Sequence, residues 1–166
     1  SIPYAAYSCP TMFGDSKQGL FFVSPVKDNL ELLKDHCHAS FPLTTLHEAY
    51  PGHHLQFSVQ RTLNSEIRKM YDVSSYYEGW TLYCEEMMYE QGYYDEGMRL
   101  FQLKDKLWRA ARIVVDVSMQ CHGMTDDEAA QFLVDNAKLS KQGARIDVNW
   151  YTQSCLLYTS DAADES

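Results

Sequence analysis

Apolar residues recur at helical spacing in most of this chain and crowd into a strand-length run at one place. Leu100, Leu103, Leu107, Ala110, Ala111, Val114 and Val117 follow one another at intervals near three and four. That spacing predicts a long helix over roughly 94–121. A helix is also predicted after DVSS, capped by Ser74 or Ser75, running through YYEGWTLYCEEMMYEQG to a stop near Gly92. Thr125 followed three residues later by Glu128 has the form of a capping box and opens a further helix through about Ala137. GLFFVS (19–24) is short, apolar and aromatic between Gly19 and Pro25, which predicts a strand. Residues 1–19, rich in Pro, Gly, Ser and Tyr, read as loop. Residues 29–40 read as a short helix or a connection, and 141–154 as a weaker segment. Pro42 precedes a helical stretch containing several histidines. The predicted fold is mainly α, a helical bundle with one short strand or small sheet before those histidines.

Composition narrows the function classes. The chain has 166 residues, 45% hydrophobic and 22% charged, enough for one domain with a core. Its formal charge of −9 argues against a nucleic-acid partner, which requires a basic surface. No apolar run approaches a membrane span. The five cysteines are scattered, without C-x-x-C spacing, and read as free, buried thiols rather than a disulfide framework. The sequence opens on SIPYAAYSCP with neither an initiator methionine nor a signal-peptide pattern. Residues 155–165 resemble a translated sequencing adapter, so 155–166 are expected to be an artefactual, disordered tail on a piece of a longer protein.

The segment TTLHEAYPGHHLQF (44–57) carries the chemistry. His47 and Glu48 begin like H-E-x-x-H, in which two histidines on one helix face converge on a zinc ion and the glutamate takes a proton from water. Pro51 stands where the second histidine would fall. Proline lacks an N–H and clashes with the preceding turn, so a kink is predicted, and Gly52 adds backbone freedom. A kinked or bulged turn returns either His53 or His54 to the face of His47. Thirty-one residues on, YYEGWTLYCEE offers Glu78 as a third ligand from a neighbouring antiparallel helix. Gly79 would allow close approach of the helix backbones, and Trp80 would shield the site from water. Tyr76, Tyr77 and Tyr83 supply hydroxyls, and Glu85, two turns beyond Glu78, is an acceptor for a ligand histidine or a surface charge.

HEAYPGHHLQ and YYEGWTLYCEE together resemble the family called domain of unknown function 885, in which H-E-x-x-P-G-H precedes E-G-W-x-x-Y. GLFFV and RAARIVVDVSMQCHGMTDDEAAQFLVD extend the resemblance over most of residues 10–154. That family is similar to helical zinc peptidases of the gluzincin type. The resemblance implies His47, His53 and Glu78 as Zn2+ ligands, Glu48 as general base, and His54 as the variable position. It implies hydrolysis of peptide bonds in short peptides, within a partial catalytic domain over 1–154 that lacks the family's N-terminal helical shell and its C-terminal end. The chain departs from the pattern at Gln120, where relatives carry a histidine.

In that reading the GLFFV strand, including Phe22, presents an edge to the substrate backbone. Arg145, Arg109 and Arg112 are candidates for a substrate carboxylate, although Arg112 also stands four residues from Asp116 as an ion-pair partner. Tyr151 is a candidate donor to the tetrahedral intermediate. Two alternatives compete: a non-catalytic metal-binding or structural helical fragment, and a di-iron-type helical oxidoreductase, disfavoured because no E-x-x-H pair occurs. Compartment and oligomeric state are not encoded in any of these motifs.

Overall fold

The computed structural model describes residues 5–25 and 37–152. The chain divides into two compact units, Ser1–Phe101 and Gln102–Ser166.

In the first unit, β1 (Ala5–Ser8) and β2 (Leu20–Val23) form an antiparallel pair, with Ala6 opposite Phe22 and Tyr7 opposite Phe21. β2 is the strand expected in GLFFVS. β1 lies in the stretch read as loop, because four residues are too few for an alternating pattern to stand out among prolines and glycines. Four helices follow: α1 (Ser40–Glu48), α2 (His53–Gln60), α3 (Glu66–Met70) and α4 (Ser74–Glu90). α1 and α2 both pack on α4. Leu43, Leu46, Cys84 and Tyr94 form the core here, with Trp80, Met88, Tyr89 and Met98 against it.

Pro42 sits in the first turn of α1, where no intrahelical N–H is required. α3 was not foreseen; it buries no residue and so has no apolar stripe, but Ser65 caps it by accepting from Arg68 N. The buried Gln60 joins the end of α2 to this segment, its amide donating to the carbonyls of Arg68 and Tyr71 at 2.9 and 3.0 Å. The N-cap of α4 is Val73, without a side-chain cap; Ser74 and Ser75 fall inside its first turn.

α5 (Glu96–His122) begins in the first unit and supplies most of its length to the second. α6 (Asp126–Ala137) and α7 (Lys141–Tyr151) pack together there. The capping box at Thr125 and Glu128 is present in both halves. The segment read as weak is the helix α7, capped by Ser140.

The apolar row from which α5 is read lies largely outside the core. Leu100 is 67% exposed, and Leu103, Leu107 and Val114 are each nearly half exposed. Of that row Ala111 is buried, and with Val115 one residue beyond Val114, flanked by Trp108 and Met119, it joins Ala129, Leu133, Ala144, Val148 and Tyr151. One residue is a rotation of about 100° on a helix, and spacing alone does not say which of two apolar rows is covered. The predicted tail at 155–166 and most of the 29–40 segment lie outside the described residues.

Candidate metal centre

The break in HEAYPGHH is complete. α1 stops at Glu48, four residues turn the chain, and α2 starts anew at His53. Backbone hydrogen bonds define the turn: Gly52 N donates to Leu46 O at 3.0 Å and His54 N to Ala49 O at 3.0 Å. A Cβ on Gly52 would lie 1.8 Å from the carbonyl oxygen of His47, so close approach rather than an unusual φ demands glycine there. The peptide bond before Pro51 is cis. From α4, the Trp80 indole donates to the Pro51 carbonyl at 2.9 Å and the Cys84 thiol reaches the same oxygen at 3.5 Å. The tryptophan expected to shield the site thus also pins its turn.

This turn brings together His47 and His53, both buried, with ring centroids 4.9 Å apart and planes nearly perpendicular. Glu78, from the first turns of α4, faces both. Its Oε2 lies 3.4 Å from His47 Nε2 and its Oε1 3.4 Å from His53 Nε2. All three residues offer a ligand atom within 4.8 Å of one another. Four donors held about 2.1 Å from one ion in a tetrahedron stand about 3.4 Å apart. The two histidine-to-carboxylate separations match that spacing, and a donor set of two imidazoles and a carboxylate is one that could hold a metal ion.

Glu85 completes the arrangement. Its carboxylate is 1% exposed and holds His47 Nδ1 at 2.7 Å, leaving Nε2 directed at Glu78. This is the acceptor-to-ligand relationship that fixes imidazole orientation in metal sites. Burial acts against a charge on His47, but hydrogen bonds and charge from Glu78 and Glu85 prevail and raise its pKa to about 10. For Glu78, burial acts to raise the pKa, and the two histidines overcome it and hold the carboxyl well below its usual range. A buried carboxylate, Glu85, and a half-buried one, Glu78, thus flank the two imidazoles and favour positive charge between them.

His54 is not part of the group. Its Nδ1 lies 2.8 Å from the Tyr7 hydroxyl, and the Tyr7 ring stacks on His53 and Phe57. Burial, with Cys9 nearby, pushes the Tyr7 phenol up to about 12, so it stays neutral at ordinary pH. Gly19 makes room for it: a Cβ there would come within 2.5 Å of the Tyr7 hydroxyl oxygen. The sequence reading missed Tyr7 because it missed β1. Glu48 is half-buried at the end of α1, next in sequence to His47. Tyr83 is exposed, its ring tilted against Trp80 with centroids 5.7 Å apart, and Phe22 lies on β2, 43% exposed.

The other candidates belong to the second unit. Tyr151 is fully buried in its core, and its hydroxyl donates to Asp147 at 3.0 Å. Asp147 also accepts from the Trp108 indole at 2.6 Å, and Arg112 stacks over that indole. Gln120 donates to the Tyr151 carbonyl. Arg145 pairs with Asp127. These residues are engaged within their own unit. Of the four described cysteines all are free, as expected, but Cys84 alone among them is buried and Cys9 and Cys121 are exposed.

The family described as bacterial protein of unknown function (DUF885) matches residues 1–160. The chain belongs to this family. No curated protein matches it. Among solved structures, this DUF885 chain is similar to a candidate lipoprotein of unknown function from Shewanella oneidensis, at 26% identity and a TM-score of 0.81, over 95% of this chain and 31% of that one. A candidate lipoprotein from Colwellia psychrerythraea matches equally well, at 26% identity and 0.81, over 96% of this chain and 27% of the other. The chain thus spans about three-tenths of the length of these two neighbours. No helix of the described residues is long and apolar enough to cross a membrane.

Proposed function

We propose that this DUF885 chain carries the zinc-binding core of a hydrolase that cleaves peptide bonds in short peptides. The observation that carries the reading is the convergence of His47, His53 and Glu78, their ligand atoms within 4.8 Å of one another, with Glu85 behind His47. A bound Zn2+ would supply Lewis-acid activation of water and of the scissile carbonyl. His47, His53 and Glu78 would hold it, and Glu85 would keep His47 in the tautomer that presents Nε2. Glu48, adjoining the first ligand, would take the proton of the attacking water and return it to the leaving amine. Residues 1–154 would then form part of a larger catalytic domain.

The test is metal analysis of the purified protein, followed by peptide release from short unstructured peptides by the wild type and by Glu48→Gln. Expected are one equivalent of zinc and a rate lowered about 10²- to 10⁴-fold by the substitution, with zinc affinity unchanged. A rate that Glu48→Gln leaves intact overturns the assignment of the base. Zinc bound without turnover in any variant would favour a non-catalytic metal-binding fragment, and iron in place of zinc a redox protein.

A further inference from the structure

The sequence reading sought the partner of a substrate carboxylate among Arg109, Arg112 and Arg145, all in the second unit. The first unit contains a different cationic site. A cavity of about 390 Å³ lies between the segment after β1 and the far end of α2, lined by Phe13, Lys17, Ser58, Arg61, Thr62 and Lys69 among others. The chain carries 23 acidic residues against 14 basic ones, yet three cations line this cavity and no carboxylate does.

The cavity is built to hold its charges in place. The Arg61 guanidinium donates to the Gly14 carbonyl at 2.7 Å, a neutral partner that fixes the group without cancelling its charge. Its Nε is buried and has no hydrogen-bond partner among the described residues. Lys69 places its ammonium 5.8 Å from the centre of the Phe13 ring. Gln60, one residue before Arg61, binds the carbonyls around Lys69 and so couples the two cations through the backbone.

The position of the cavity relates it to the metal centre. His53 is the first residue of α2 and Arg61 its C-cap. Eight residues of α-helix span about 12 Å. An extended peptide covers that distance in about three to four residues, at roughly 3.3–3.6 Å each. Between the two ends stands Tyr7, which hydrogen-bonds His54 and feels the charge of Arg61.

We infer that this basic cavity receives the C-terminal carboxylate of a short peptide, placing a bond about three residues upstream at His47, His53 and Glu78. The inference rests on the hydrolase reading for its substrate class. The Arg61 guanidinium and the ammonium groups of Lys17 and Lys69 give the cavity the charge that a carboxylate requires. The resulting specificity is for unblocked peptides cut near the C-terminus, with a short C-terminal fragment released.

The test measures binding apart from turnover. Zinc-loaded Glu48→Gln protein is titrated calorimetrically with N-acetyl-tetraalanine bearing a free carboxylate and with the same peptide as its C-terminal amide. The acid is expected to bind at least about tenfold more tightly, the size of effect given by hydrogen bonds to a charged group. A Lys17→Gln/Lys69→Gln double substitution in that background is expected to remove most of the preference and leave zinc affinity unchanged. Arg61→Lys, which keeps charge but loses the fork, is expected to weaken the acid selectively. Equal binding of acid and amide, or a preference that survives both sets of substitutions, overturns the inference. Acid preference in a protein whose Glu48-intact form releases no peptide upholds the cavity while removing the hydrolase reading; peptide release without acid preference does the reverse. Inorganic phosphate that fails to displace the acid also overturns it, by showing that the anion and the peptide carboxylate do not share the cavity.

Discussion

His47 Nδ1 and Glu85 Oε1 stand 2.7 Å apart although 38 residues separate them in the chain. The carboxylate comes from two turns beyond Glu78 on α4, so one helix contributes both a candidate ligand and the group that orients another. Glu85→Gln keeps the size of the side chain but replaces the carboxylate with an amide. Zinc affinity, measured by competition with a chromogenic chelator, is expected to fall about 10- to 100-fold, with the helical content unchanged. An unchanged affinity would mean that His47 needs no orienting partner.

Gly52 makes the turn between the two histidines possible. In Gly52→Ala the new methyl would meet the His47 carbonyl at a distance no real contact tolerates, so the turn must move. A destabilisation of about 1–3 kcal/mol or more is expected in urea unfolding. Zinc affinity should fall with it, since the carbonyl displaced belongs to a candidate ligand.

Trp80→Phe retains most of the ring's packing and deletes its donor to the Pro51 carbonyl. About 0.5–1.5 kcal/mol of stability should be lost on chemical denaturation. The more telling readout is metal: if the indole pins the turn, zinc should bind more weakly in Trp80→Phe, whereas a tryptophan that serves packing alone would leave the affinity unchanged.

The start of α6 offers a prediction in pH. Hydrogen bonds from the Thr125 backbone and hydroxyl hold the Glu128 carboxyl below its usual range. A carboxyl whose folded pKa is depressed contributes stability above its unfolded value near 4.5 and loses that contribution as the pH falls below this value and through the lower folded one. Thermal unfolding of wild type and Glu128→Gln should therefore differ at neutral pH and converge below about pH 4. Thr125→Ala, which removes the other half of the box, should cost about 1 kcal/mol.

Much of the fold could be read along the chain because its signals are local. The capping box, the extents of α4 and α5, and β2 all follow from residues within a few positions of each other. Where local signal was weak the reading failed: four residues of β1 and the polar α3 lack a pattern of their own, and α7 declared itself only by packing on α6. The exposed row on α5 shows a second kind of limit. Leu103 and Leu107 are as apolar as a core requires, and only the neighbours of Ala111 and Val115 decided which row was buried.

The candidate site divides in the same way. The sequence by itself determined the candidate ligand types, His47 and Glu48 in one helical turn, and a break at Pro51-Gly52. It left His53 and His54 geometrically equivalent, since both follow the break. Tertiary structure separated them, directing His53 to Glu78 and His54 to Tyr7. It also gathered Lys17, Arg61 and Lys69 from three segments into one cavity. The physical reason is range: helix propensity and capping act over three or four residues, whereas imidazole direction and cation clustering are set by contacts between elements tens of residues apart.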